Sequence, residues 1–178
     1  MDTTPFDQDM AVTAAIFGVA AFVWFGWAQE APPARWRLPL GLGSALGLLL
    51  GAVGGLLAWQ NWGSGMALAD PQARLAFGIV CGVEFGAAAL GAAVLGLTKR
   101  PKWIASWIAF VVGAHFVPLA FIFGDPWMIA LAVLVVLAAG LSVLVHRRTR
   151  IAPSAATGLG AGLAFLVFSG RAIALVAL

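Results

Sequence analysis

The sequence predicts an all-α membrane protein, a six-helix transmembrane bundle that forms one domain over residues 1–178. Hydrophobic residues make up 62% of the chain and charged residues 10%, whereas a soluble domain has roughly 45–50% and about 25%. The mean hydropathy is +1.01. The apolar residues also form six continuous runs, each long enough to cross about 30 Å of hydrocarbon as a helix.

The six runs predict spans at residues 11–28, 38–58, 74–97, 103–124, 127–146 and 153–175. They lack the alternation of outer-membrane β-strands, which favours helices. The acidic tail before span one, with Asp2, Asp7 and Asp9, has no basic region of a secretory signal, so span one is predicted to be retained. Asp70-Pro71 before span three and Asp125-Pro126 before span five predict helix starts, with Asp as N-cap and Pro first in the helix.

The basic residues predict the orientation of the bundle. Eight of the ten lie in the breaks after spans one, three and five: Arg35, Arg37, Lys99, Arg100, Lys102, Arg147, Arg148 and Arg150. The positive-inside rule places these breaks in the cytoplasm and both termini outside. Solvation at the membrane surface explains these loops better than a specific lipid or nucleic-acid site, so the lipid bilayer as a whole, and no nucleic acid, is the predicted partner.

Glycines spaced by four predict close packing between helices. They are Gly43, Gly47, Gly51 and Gly55 in span two, Gly78, Gly82 and Gly86 in span three, and Gly158 and Gly162 in span six. Small residues at this spacing form flat seams, which matter in lipid because the hydrophobic effect does not drive helices together. The pattern does not separate contacts within the chain from contacts in a homo-oligomer or with a membrane partner.

One acidic residue, Glu84, lies near the middle of a span. A carboxylate there costs on the order of 2.5–3.5 kcal/mol, which makes it a candidate functional residue that requires a partner. His115 lies at a similar depth on the next, antiparallel span, so we expect the two side chains to meet. Pro118 lacks an N–H for the carbonyl of Ala114 and is expected to bend span four beside His115.

Three interpretations of this polar site remain open: a buried pair that fixes helix register, a proton or substrate pathway, and a metal site that adds Cys81. No catalytic residue, metal or cofactor is assigned. A retinal Schiff base requires a lysine within a span. The two lysines of the sequence, Lys99 and Lys102, lie in a loop, so this function is not supported. The sequence has no HExxH, GxSxG or phosphate-binding glycine loop. An enzyme is therefore not favoured.

The stretch VVGAHFVPLAF, preceded by a span with VEFG, resembles a group of uncharacterised bacterial multi-span integral membrane proteins that share a VGxHFxPLA segment. The matching residues are Val112, Gly113, His115, Phe116, Pro118, Leu119 and Ala120, with Glu84 as the preceding acid. The resemblance is strongest over residues 78–124. It implies a multi-span architecture and no particular activity. The predicted location is the bacterial cytoplasmic membrane, with multiple spans.

The sequence therefore supports two candidate functions. The first is a small proton, ion or solute transporter in which Glu84 and His115 bind the proton or form a polar gate. The second is a structural or regulatory membrane subunit that binds a partner through its glycine-rich helices. The first depends on a carboxylate deep in the membrane, and the second on three glycine-spaced helices in a short chain.

Overall fold

The computed structural model describes residues 6–177, and this part of the chain forms six long α-helices and no β-strand. The helices are α1 (Asp7–Ala28), α2 (Arg37–Gln60), α3 (Pro71–Leu97), α4 (Ile104–Ile122), α5 (Trp127–Thr149) and α6 (Pro153–Ala177). Each is long and apolar enough to cross a membrane. The predicted all-α fold class is confirmed, and the chain is a multi-pass membrane protein. The side on which the termini lie stays a prediction.

The helices form a bundle around α1, α4, α5 and α6. Helix α1 packs against α2 and α6, and α5 packs against α4 and α6. The rings of Phe17, Phe116 and Phe165 join α1, α4 and α6, with centroids 5.5–5.7 Å apart. Helix α3 lies at the edge: it packs mainly against α4, and none of its residues is buried.

The contact between α1 and α2 depends on glycine. A Cβ placed at Gly47 would lie 2.7 Å from the backbone nitrogen of Phe22, and one at Gly54 would lie 2.8 Å from the Cα of Ala15. Real Cβ atoms essentially never approach so closely. The two backbones therefore touch over several turns, which gives dispersion contacts that larger side chains would prevent.

Helix α6 uses its predicted glycines against the other side of α1. A Cβ at Gly158 would lie 2.8 Å from the backbone nitrogen of Ala28, and one at Gly162 would lie 2.9 Å from the ring of Phe25. Gly43 of α2 faces the same ring at 3.0 Å. The Phe25 side chain is thus seated between two glycine positions on two helices.

Four of the predicted packing glycines do not face another helix of the described chain. Gly55, Gly78, Gly82 and Gly86 have no atom of the described chain near the position of a Cβ. In α2 the contact passes from Gly51 to Gly54 instead, because Gly54 lies about 20° around the helix from Gly47 while Gly55 lies about 80° away. A packing role for these four residues would require a partner outside the chain and stays a prediction.

The two Asp-Pro pairs begin their helices differently. Asp70 is the N-cap of α3, as predicted: its Oδ2 accepts a 2.9 Å hydrogen bond from Ala73 N, and Pro71 is the first helical residue. The prediction for α5 is wrong by one residue, since the helix begins at Trp127. Pro126 is the N-cap residue, and Asp125 still accepts a 3.0 Å hydrogen bond from Trp127 N.

The prediction of an acidic tail before span one also differs from the structure. Asp2 lies outside the described residues, whereas Asp9 belongs to the first turn of α1 and is 6% exposed. Its Oδ2 accepts a 2.7 Å hydrogen bond from Ala67 N, and the neighbouring Gln8 accepts one of 2.9 Å from Gly63 N. These two side chains fasten the loop between α2 and α3 to the end of α1. Helix α1 begins at Asp7, four residues before the predicted span.

Candidate functional site

Glu84 and His115 lie opposite each other across the contact between α3 and α4. Glu84 is near the midpoint of α3, and His115 is in the second half of α4. His115 Nδ1 lies 3.4 Å from Glu84 Oε1, and each side chain is 13% exposed. The structure therefore brings together the two ionisable side chains that the depth argument paired.

The protonation of His115 is constrained by a second contact. Nδ1 also forms a short hydrogen bond with the carbonyl oxygen of Val112, one turn earlier in α4. A carbonyl oxygen only accepts, so Nδ1 carries a hydrogen in this arrangement. Nε2 is then the nitrogen that gains or loses a proton. The Nδ1–H lies between the Val112 carbonyl and the Glu84 carboxyl group, so the ring is oriented towards both.

Charge neutrality favours one exchangeable proton on the pair. A protonated imidazole beside a carboxylate is neutral as a pair, and so is a neutral imidazole beside a carboxylic acid. Removing the proton leaves a net negative charge in the span, and adding a second leaves a net positive charge. Either change costs on the order of 2.5–3.5 kcal/mol for a single charge in mid-membrane. The pair can thus hold one exchangeable proton in its most stable state.

Helix α3 is held against α4 at three levels. The rings of Phe77 and Phe123 meet at one end, with centroids 5.9 Å apart. The Glu84 contact lies in the middle. At the other end, Trp107 Nε1 donates a 3.1 Å hydrogen bond to the carbonyl oxygen of Ala87, and its ring occupies the space that a Cβ at Gly91 would need. Gly91, which the spacing of the glycines did not reveal, seats this tryptophan.

Pro118 lies within α4, which continues to Ile122 as one helix. The proline therefore does not break the span, although the Ala114 carbonyl still lacks the N–H that another residue would supply. The expected bend stays a prediction. On the other side of the site, the His115 ring packs on Phe116, with centroids 4.2 Å apart. Because Phe116 belongs to the aromatic cluster of the bundle, the histidine side of the pair is the anchored side.

A buried hydroxyl cluster, which the sequence did not indicate, joins α4, α5 and α6. Ser106 Oγ lies 2.8 Å from Ser142 Oγ and 3.0 Å from Thr157 Oγ1. Ser142 donates to the carbonyl oxygen of Ala139 at 2.7 Å. Because each hydroxyl has one hydrogen, Thr157 must donate to Ser106 and Ser106 to Ser142. All three hydroxyl hydrogens are therefore donated to protein oxygens. The cluster links three helices and has no hydroxyl hydrogen left to donate to a ligand.

A second ion pair joins the start of α5 to the end of α6. Arg171 Nη1 lies 2.8 Å from Asp125 Oδ2, and Nη2 lies 3.2 Å from Oδ1. The guanidinium also stands 5.3 Å from the ring centroid of Trp127. Asp125 is 2% exposed. Both of its oxygens are engaged, so this bidentate pair is a structural fastening rather than a binding site.

The eight predicted cytoplasmic basic residues all lie in or beside the three connections between α1 and α2, α3 and α4, and α5 and α6, and all are exposed. Lys102 Nζ lies 3.3 Å from His146 Nε2, and His146 Nδ1 lies 2.9 Å from the carbonyl oxygen of Ile151. Since Lys102 donates to Nε2, Nδ1 carries the hydrogen of a neutral ring. His146 therefore connects two loops at the basic end of the bundle.

Residues 6–177 contain no group of three His, Cys, Asp or Glu side chains that could hold a metal ion. Cys81, one turn before Glu84, is a partly buried free thiol. The ionisable groups of the span thus form a two-residue site, which is suited to binding a proton. No protein-family model, no curated protein and no solved structure matches the chain.

Proposed function

We propose that the protein is a small transporter that moves protons across the bacterial cytoplasmic membrane. The contact of 3.4 Å between Glu84 and His115 within two apolar spans carries this proposal. Membership of the VGxHFxPLA group belongs to the same proposal, and it supports the architecture rather than the activity.

The attachment of α3 supports a mechanism for this transport. Helix α3 has no buried residue and packs mainly against α4, whereas His115 is anchored by Phe116 in the bundle. Loss of the proton leaves the pair with a net negative charge, which is unfavourable in mid-membrane. Movement of α3 relative to α4 would then expose the site to one side of the membrane, and reprotonation would restore the contact.

Replacing Glu84 with Gln should abolish proton flux. The experiment uses purified protein in liposomes that contain a pH-sensitive dye, with proton entry driven by a potassium gradient and valinomycin. Wild-type vesicles should acidify faster than protein-free vesicles, and the rate for E84Q should fall at least about tenfold, because a carboxamide does not ionise in the physiological pH range. His115→Ala should reduce the flux as well.

Asp70→Asn is the matched control, because Asp70 is an exposed acid on the same helix and asparagine also caps helices well. Its flux should equal that of the wild type. The proposal is wrong if E84Q vesicles acidify at the wild-type rate, or if wild-type vesicles behave like protein-free ones while circular dichroism shows the full helical content.

A second candidate function is supported by the glycine stripe of α3. Gly78, Gly82 and Gly86 face away from the chain, with no described atom near their Cβ positions, and they lie on a helix with no buried residue. Flat glycine surfaces are typical of contacts between membrane helices. In this function the protein is a structural or regulatory subunit, and the stripe binds a helix of another subunit or of a second copy.

Gly82→Leu separates this function from transport. The substitution should leave the fold intact, because the leucine meets open space, and should abolish self-association or retention of the partner subunit. Both are measured by light scattering and mass spectrometry of the protein extracted in mild detergent. Gly96→Leu, at an open position near the end of the same helix, is the comparison. Identical assembly states for wild type and G82L would remove the candidate.

A further inference from the structure

An apolar groove lies between α2 and α6 at the basic end of the bundle. Its volume is about 290 Å³, near the lower bound of about 300 Å³ for ligand pockets. The lining extends on the α2 side from Trp36 to Gly43 and on the α6 side from Leu159 to Leu166. Each of these stretches corresponds to about 10 Å along the helix. The groove therefore runs from the level of the membrane surface towards the bilayer interior.

The groove has a defined floor and an apolar lining. Phe25 of α1 forms the floor, because its ring is held between Gly43 and Gly162 at positions where a Cβ would lie about 3 Å away. The remaining lining consists of aliphatic side chains such as Leu40 and Leu163. A groove of this chemistry within a span suits a hydrocarbon chain, since no polar group inside it requires a partner.

Two basic residues adjoin the groove in the sequence. Arg35 and Arg37 flank Trp36, the lining residue at the start of the α2 wall, and both are exposed. Among the residues that the structure describes, no carboxylate oxygen lies within 4.0 Å of either guanidinium. Two unpaired cations therefore stand beside a tryptophan at the membrane surface, which is the side-chain chemistry that attracts an anionic lipid headgroup.

We propose that this groove binds one anionic phospholipid from the leaflet that faces the basic loops. An acyl chain lies along Phe25 between α2 and α6, and the phosphate lies at Arg35 and Arg37. Anionic and zwitterionic phospholipids carry the same acyl chains, so the groove itself does not distinguish them. The two arginines select the anionic headgroup.

A second groove in the same bundle provides an internal comparison. It lies between α5 and α6, has a volume of about 370 Å³ and is lined by residues such as Leu134, Leu141 and Val167. Its lining residues lie at least seven positions from either end of their helices. Its described lining residues include no charged side chain and no tryptophan, so it should accept acyl chains without selecting a headgroup.

Native mass spectrometry of the purified protein tests the site. The protein, freed of lipid in mild detergent, is titrated with phosphatidylglycerol and with phosphatidylcholine that carry identical chains. The wild type should bind the first phosphatidylglycerol about tenfold more tightly than the first phosphatidylcholine. The double variant Arg35→Gln/Arg37→Gln should bind both equally, and Leu159→Trp should lose the tight site because the indole fills the groove.

Leu134→Trp is the matched control, since it fills the second groove, and it should keep the preference. The proposal is overturned if wild type binds the two lipids equally, if the arginine variant keeps the preference, or if Leu134→Trp lowers phosphatidylglycerol binding as much as Leu159→Trp. A dimer that forms through this face and excludes lipid would overturn it as well. The arginine variant leaves the core unchanged, so the test stands even if Leu159→Trp does not fold.

Discussion

Replacing Arg171 with Met is expected to lower the free energy of unfolding by about 3–5 kcal/mol, because it leaves a buried carboxylate without its cation. Asp125 is 2% exposed and receives two hydrogen bonds from the guanidinium, at 2.8 and 3.2 Å. Among the residues that the structure describes, the carboxylate then keeps one hydrogen bond, the 3.0 Å one from Trp127 N. The loss is measured by reversible unfolding in mixed micelles, followed by circular dichroism.

Arg74→Met is the matched control for this prediction. Arg74 is exposed, and within residues 6–177 it has no ion pair. Its replacement should change the free energy of unfolding by no more than about 0.5 kcal/mol. The double variant Asp125→Asn/Arg171→Met should recover part of the loss, because it removes the unpaired charge. Equal effects of Arg171→Met and Arg74→Met would contradict the buried ion pair.

The helices of this protein follow from the sequence because lipid imposes a simple condition on it. A span must satisfy its own backbone hydrogen bonds and present apolar side chains over about 20 residues. Six runs meet that condition, and residues 6–177 form six such helices. The proximity of Glu84 and His115 follows from the same condition, since counting residues from the ends of two neighbouring antiparallel helices gives depth in the membrane.

Helix rotation was not predictable from the sequence in the same way. The spacing of glycines in α2 fits both Gly54 and Gly55, yet only Gly54 faces α1. Trp24 illustrates the same point. Its position near the end of span one is typical of a residue anchored at the membrane surface, whereas the structure buries it to 5% exposure and stacks it on Trp27. A span that is apolar on all sides gives little indication of which side faces its neighbours.

Polar contacts between distant helices were the other features that the sequence did not indicate. Ser106, Ser142 and Thr157 lie in three separate apolar runs, and nothing in the sequence sets Thr157 apart from Ser154 and Ser169 in the same run. Any one of them can satisfy its hydroxyl within its own helix by bonding to a preceding carbonyl, as Ser142 does with Ala139. Only the relative placement of the three helices shows that the hydroxyls meet.

Gly54→Leu is expected to destabilise the protein by about 3 kcal/mol or more, because the backbones of α1 and α2 touch at this position. Even a Cβ would lie 2.8 Å from the carbonyl carbon of Ala14 and from the Cα of Ala15. Neither of these is a side-chain atom that could rotate away, so α2 must move off α1 and lose contacts along the seam. The change is measured by unfolding in mixed micelles, with tryptophan fluorescence as the signal.

The neighbouring residue gives the control with the same change in composition. A leucine at Gly55 meets no described atom near its Cβ, and leucine favours a helix over glycine by up to about 1 kcal/mol. Gly55→Leu should therefore be neutral or slightly stabilising. The two variants differ only in a rotation of about 100° around α2, so their difference measures the contact with α1. If both variants unfold alike, α2 does not present Gly54 to α1, and the packing of these two helices described above is wrong.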